Sequence, residues 1–96
     1  MEKLTIAQVM NLSKDDVLAR LRGRRLCNIQ VVEERGHFDV AQHLCDLHRN
    51  SADDWQLGFN VAANVIQGDT ITLLGAENLP LLRGDWTLSS IFIARA

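Results

Sequence analysis

The sequence predicts an α+β domain: two short N-terminal helices in a hairpin and a short β-hairpin, a further helix or helices, then C-terminal antiparallel strands. Three observations lead there. Helix-capping signatures begin at Thr5 and again eight residues later at Ser13. Period-two alternation follows from Leu26, and the stretch from Trp86 to Ala94 is rich in β-branched and aromatic side chains. Ninety-six residues give room for one core, so residues 1–96 are expected to form a single domain.

Taken in chain order, Thr5 is the first N-cap and Gln8 its capping-box partner, with Leu4 and Val9 as a hydrophobic staple. Ile6, Val9 and Met10 share one helical face. The pattern repeats with Ser13 as cap, Asp16 as its shorter reciprocal partner and Leu12 with Val17 as staple. The second helix buries Val17, Leu18 and Leu21 and stops at Gly23, a favoured left-handed terminator. Between the helices, Asn11 is the common non-glycine choice for a left-handed joint. From Leu26 to Val32, Cys27, Ile29 and Val31 face one side while Asn28 and Gln30 face the other. Glu34-Arg35-Gly36 supplies a turn, and His37 to Val40 returns as a second short strand. Asp39 with Gln42 then caps a helix running to about Arg49, with Val40, Leu44 and Leu47 inward.

The stretch 53–66 fits two periods. Trp55, Phe59, Ala62 and Ile66 define a helical face, whereas Trp55, Leu57, Phe59 and Val61 alternate as in a strand. Ser51 and Asp54 resemble a cap and box, which favours helix; Gly58 weakens either choice by about 1 kcal/mol. Gly68-Asp69 is a turn, Thr70–Leu74 a strand, 75–85 a loop holding the single proline, and Trp86–Ala94 the last strand.

Two short helices with a tight joint make a helix-turn-helix, with Ala7 as the small residue and Leu12 and Val17 at the crossing. The segments Leu4–Val9, Ser13–Leu21, Arg24-Arg25-Leu26 and Glu34–Val40 resemble the compact winged helix-turn-helix domains of the MerR and phage-excisionase kind. The resemblance covers residues 1–49 and leaves 50–96 for packing or partner binding. It implies that residues 14–22 enter a major groove, that Lys14, Arg20, Arg24 and Arg25 meet phosphates or base edges, and that Arg35 reaches the minor groove from a wing tip. Asp15 and Asp16 lie at the amino end of that second helix, where carboxylates favour the helix dipole but repel phosphate.

Composition narrows the classes. The chain is 47% hydrophobic and 23% charged, with six glycines and one proline, which excludes a disordered tail or a collagen-like repeat. Apolar runs extend only a few residues, against about 20 for a membrane-spanning helix. The first residues lack the basic and apolar regions of a secretory leader, so a cytoplasmic location is expected. Cys27 and Cys45 allow at most one disulfide. The formal charge of −2 is unevenly spread: residues 1–36 carry a net +2 and residues 37–96 a net −4. Four arginines, Arg20, Arg22, Arg24 and Arg25, fall within six positions.

Several chemistry-like patterns have simpler explanations. His37, His43, Cys45 and His48 crowd together but lack the spacing of a converging zinc site, and are expected to be packed or exposed. Neither cysteine has a nucleophile signature, and the pairs Asp15-Asp16 and Asp53-Asp54 diverge around a helix. The phosphate-loop glycine spacings do not occur, so no cofactor is expected. Arg83-Gly84-Asp85 and Asn11-Leu12-Ser13 read as a turn and a helix joint. The expectation is a small non-enzymatic regulatory binding protein, most specifically a DNA-binding regulator in transcription or recombination. The alternative is an acidic protein-binding inhibitor or adaptor, phage-encoded or immunity-type, whose negative second half engages a basic partner. Sheet edges in so small a domain also suit a homodimer.

Overall fold

The computed structural model describes residues 1–51, 54–61, 71–74 and 87–95. Its elements in order are β1 (Glu2–Leu4), α1 (Ile6–Met10), α2 (Lys14–Arg20), β2 (Leu26–Val31), α3 (His37–Arg49), β3 (Trp55–Val61), β4 (Ile71–Leu74) and β5 (Leu88–Arg95). The described strands form one mixed sheet in the order β1-β2-β5-β3-β4. The β1–β2 pair is parallel; every other neighbouring pair is antiparallel. No described helix is long and apolar enough to cross a membrane. The class is α+β, with two N-terminal helices after a three-residue strand and antiparallel strands toward the C-terminus.

Both N-terminal caps form. Thr5 accepts from the Gln8 N–H at 3.1 Å, and the Gln8 side chain accepts from the Thr5 N–H at 2.8 Å. Ser13 accepts from the Asp16 N–H at 3.2 Å, and the Asp16 carboxylate accepts from the Ser13 N–H at 2.8 Å. Each reciprocal pair satisfies two backbone donors that a helix start leaves open, so helices of five and seven residues are stable in place. The joint differs from expectation. Asn11 is right-handed, at φ −91° and ψ −3°, because its N–H still bonds the Ala7 carbonyl and the Leu12 N–H bonds that of Val9. Gly23 does adopt the left-handed region, at φ +70°.

Three segments correct the sequence reading. Residues 37–40 are the first turn of α3 rather than a return strand, and the wing hairpin is therefore absent from this segment. Gly36, at φ +84°, is the N-cap in place of Asp39, and burial at His37, Val40, Ala41, Leu44 and Cys45 carries helical spacing back to the first residue. Residues 55–61 are a strand, not a helix: Trp55, Leu57, Phe59 and Val61 are buried on the helix-covered face. Gly58 has a packing reason, since a Cβ there would lie 1.9 Å from the Phe92 ring across the strand pair. Ser51 bonds the His48 carbonyl instead of capping a helix. Third, Glu2–Leu4, of which the sequence reading names only Leu4, as a staple residue, is a strand pairing Glu2 with Ile29 and Leu4 with Val31. The turn at 68–69, the loop at 75–85 and the Arg83-Gly84-Asp85 tripeptide lie outside the described residues.

The core sits between one sheet face and the helices. Ile29, Ile91, Ile93 and Phe59 from the sheet meet Val9, Val17, Val40 and Leu44 from the helices, all fully buried. Each such side chain contributes about 1.5–3 kcal/mol by leaving water. Three histidines of α3 tie neighbouring segments to the helix. His37 accepts the Leu88 N–H at Nδ1, 2.7 Å away, which leaves Nε2 to donate to the Glu33 carbonyl. His43 bonds the Leu12 carbonyl, and His48 bonds that of Trp55.

Candidate nucleic-acid interface

The arginine cluster lies where α2 hands the chain to β2. Leu21, 2% exposed, anchors the turn, and Gly23 in the left-handed region reverses it. The Arg24 N–H bonds the Leu21 carbonyl at 3.1 Å. Arg95, at the end of β5, then fixes the connector from the neighbouring strand. Its Nε donates to the Arg24 carbonyl at 2.8 Å, its Nη2 to the Leu21 carbonyl at 2.7 Å, and its N–H to the Arg25 carbonyl at 3.1 Å. A guanidinium thus adds a second donor to the C-cap carbonyl of α2, satisfies a connector carbonyl, and places a cation against the negative end of the helix. With the connector backbone held, Arg22, Arg24 and Arg25 project outward. All three are exposed, and none has a side-chain hydrogen bond or ion pair among the described residues.

Beside them lies an open groove of about 590 Å³ lined by Glu2, Ala19, Arg20, Arg22 and Arg24. Arg20 points into it already engaged. Its Nε and Nη2 meet the two carboxylate oxygens of Glu2 at 2.9 and 3.0 Å, and its Nη1 donates to the Asp16 carbonyl at 3.0 Å. The Glu2 hydrogen bonds push the guanidinium still further above its ordinary pKa. Cys27 lies behind the groove, buried and unpaired; burial chiefly, with the Glu2 charge added, pushes its thiol up.

Of the five expected contact residues, Arg20 and Arg24 line one groove, Arg20 held by Glu2; Arg25 is exposed on the same connector, and neither it nor Arg24 has a side-chain partner among the described residues. Lys14, six residues before Arg20, forms an ion pair with Asp54 at 2.8 Å. Arg35 follows the other end of β2, about 20 Å of strand away from Arg25, on a bend shared with Glu33 and Glu34. With no wing strand behind it, Arg35 stands apart from the cluster. Sequence reading left out Arg22 as a contact, Arg95 as the strut and Glu2 as the partner of Arg20. Arg22 was legible from its place in the arginine run; Arg95 and Glu2 lie 71 and 18 residues from the groups they bind, and no local pattern announces them.

Elsewhere the α1–α3 interface holds a smaller groove, about 310 Å³, lined by Ile6, Met10, Asp39, Gln42, His43 and Asp46. No group of three His, Cys, Asp or Glu side chains among the described residues is placed to hold a metal ion. Comparisons of the chain with protein-family models, with curated proteins and with solved structures find no match.

Proposed function

We propose that the protein is a small non-enzymatic regulator that contacts the phosphate backbone of duplex DNA through Arg22, Arg24 and Arg25. The observation that carries this reading is three exposed guanidinium groups within four residues, without side-chain partners among the described residues, on a connector braced by Arg95. A fork of N–H donors matches the oxygens of a phosphate, and a fixed backbone lowers the entropy lost when the contacts form. Reading of bases by α2 is a poorer fit, because Lys14 is paired with Asp54 and Asp15 and Asp16 occupy the end that would approach the bases. Positioning on phosphates comes first; any sequence preference enters through DNA shape.

Binding of a short duplex, followed by fluorescence anisotropy against salt, tests this. Three phosphate contacts predict a log–log slope near −2.7, an affinity loss of about 40-fold from 50 to 200 mM salt. Arg24→Ala with Arg25→Ala leaves a slope near −0.9. A salt-independent affinity, or one the double variant does not change, overturns the reading.

A second reading, an acidic adaptor for a basic protein, is favoured by the α1–α3 groove. Met10 is 41% exposed there beside Asp39 and Asp46, a pairing of adaptable apolar surface with negative charge. Binding of a basic protein that Met10→Ala weakens, together with no duplex binding, would favour this reading over the first.

A further inference from the structure

Glu2 already occupies the Arg20 fork as a phosphodiester would. Its two oxygens lie 2.9 and 3.0 Å from Nε and Nη2, the parallel arrangement in which arginine also grips the two non-bridging oxygens of a phosphate. The guanidinium does not depend on Glu2 for its position, because Nη1 is held separately by the Asp16 carbonyl at 3.0 Å. Both partners of the pair are partly open to solvent, with side chains 23% and 38% exposed, so exchanging one anion for another requires no unfolding. Arg22 and Arg24 line the same groove and add charge that favours an entering anion. Glu2 sits on a three-residue edge strand, the shortest in the sheet, and its side chain can swing away from the fork while β1 stays paired.

From this juxtaposition we infer that the Arg20 groove is a fourth phosphate site, and that the Glu2 carboxylate is its internal occupant, displaced when a phosphodiester enters. The inference rests on the phosphate-contact reading above and adds its regulation. Glu2 lowers non-specific affinity for DNA, since a phosphate must compete with a tethered carboxylate for the fork. Where the backbone is placed well enough to win, Arg20 joins the other three arginines.

The test is a set of variants titrated with the same duplex across a salt series. Glu2→Gln raises affinity about fivefold at low salt and steepens the slope by about 0.9, one further phosphate contact. Glu2→Asp, which keeps the charge but shortens the reach, gives part of that gain; Glu34→Gln, the same charge change beyond the far end of β2, gives no steepening. Measured against Arg20→Gln alone, adding Glu2→Gln then brings neither gain nor steepening, a coupling that bulk charge does not produce. An unchanged slope in Glu2→Gln, or a gain that survives loss of Arg20, overturns the inference. If the wild-type chain binds no duplex, the phosphate-contact reading fails by itself, and the same variants are titrated with inorganic pyrophosphate. A gain in Glu2→Gln that requires Arg20 then upholds the fork as an oxyanion site, and no gain overturns it.

Discussion

Replacing Arg95 with alanine removes both side-chain hydrogen bonds that hold the α2–β2 connector, at 2.8 Å to the Arg24 carbonyl and 2.7 Å to the Leu21 carbonyl. The backbone bond from the Arg95 N–H to the Arg25 carbonyl is kept, so the strand itself persists. Each bond from a charged donor to a partly solvated carbonyl contributes about 1 kcal/mol net, because water replaces much of what is lost. Removing a cation from the end of α2 adds a few tenths of a kcal/mol. The expected cost is therefore about 2 kcal/mol, which for a domain of this size lowers the melting midpoint by about 10 °C. Urea denaturation measures the first quantity, and amide exchange of residues 21–26 reports whether the connector has loosened. Arg95→Lys should recover a minority of the loss, because a point charge cannot span two carbonyls as the planar fork does. A destabilisation below about 0.5 kcal/mol, within the range of an ordinary surface substitution, with unchanged exchange at the connector would refute the strut.

Three further outcomes follow from the packing and the caps. Gly58→Val drives a branched side chain into the space the Phe92 ring fills, and denaturation should show a loss of about 1–3 kcal/mol, part of which Phe92→Ala in the same chain restores. His37→Phe keeps the bulk but leaves the buried Leu88 N–H without its acceptor; a loss of about 2 kcal/mol is expected, and an unchanged denaturation midpoint would contradict it. Asp16 is held below its ordinary value of 3.8 by its hydrogen bonds with Ser13. A depressed folded-state pKa gives stability that is present above 3.8 and lost as pH falls through the folded value. Denaturation midpoints measured from pH 6 down to 2 should accordingly fall less steeply in Asp16→Asn than in the wild-type chain.

Where local chemistry decides structure, the sequence was easily read. The two capping boxes are contained in four residues each, and the alternation of Cys27, Ile29 and Val31 needs no distant partner to be recognised. Errors occur where distant contacts settle a local ambiguity. Gly36 suits a turn between strands as well as a helix cap; what selects the helix is His37 bonding Leu88, fifty-one residues away. Trp55 to Val61 carries both periods, and pairing with β5 on one side and β4 on the other selects the strand. β1 is three residues long and has no period to detect. The arginine run was equally visible, but the division within it was not. Arg20 is engaged because Glu2 on β1 comes alongside, whereas Arg22, Arg24 and Arg25 are exposed on the connector and find no side-chain partner among the described residues.

The claim that these three guanidinium groups meet phosphate is tested most directly by NMR titration of the labelled protein with a short duplex at low salt. The expected shifts are concentrated on the amides of residues 20–26 and on the side-chain Nε–H signals of Arg22, Arg24 and Arg25, and they fade as salt is added. Shifts confined to the groove between α1 and α3, or a spectrum the duplex leaves untouched, would contradict the account.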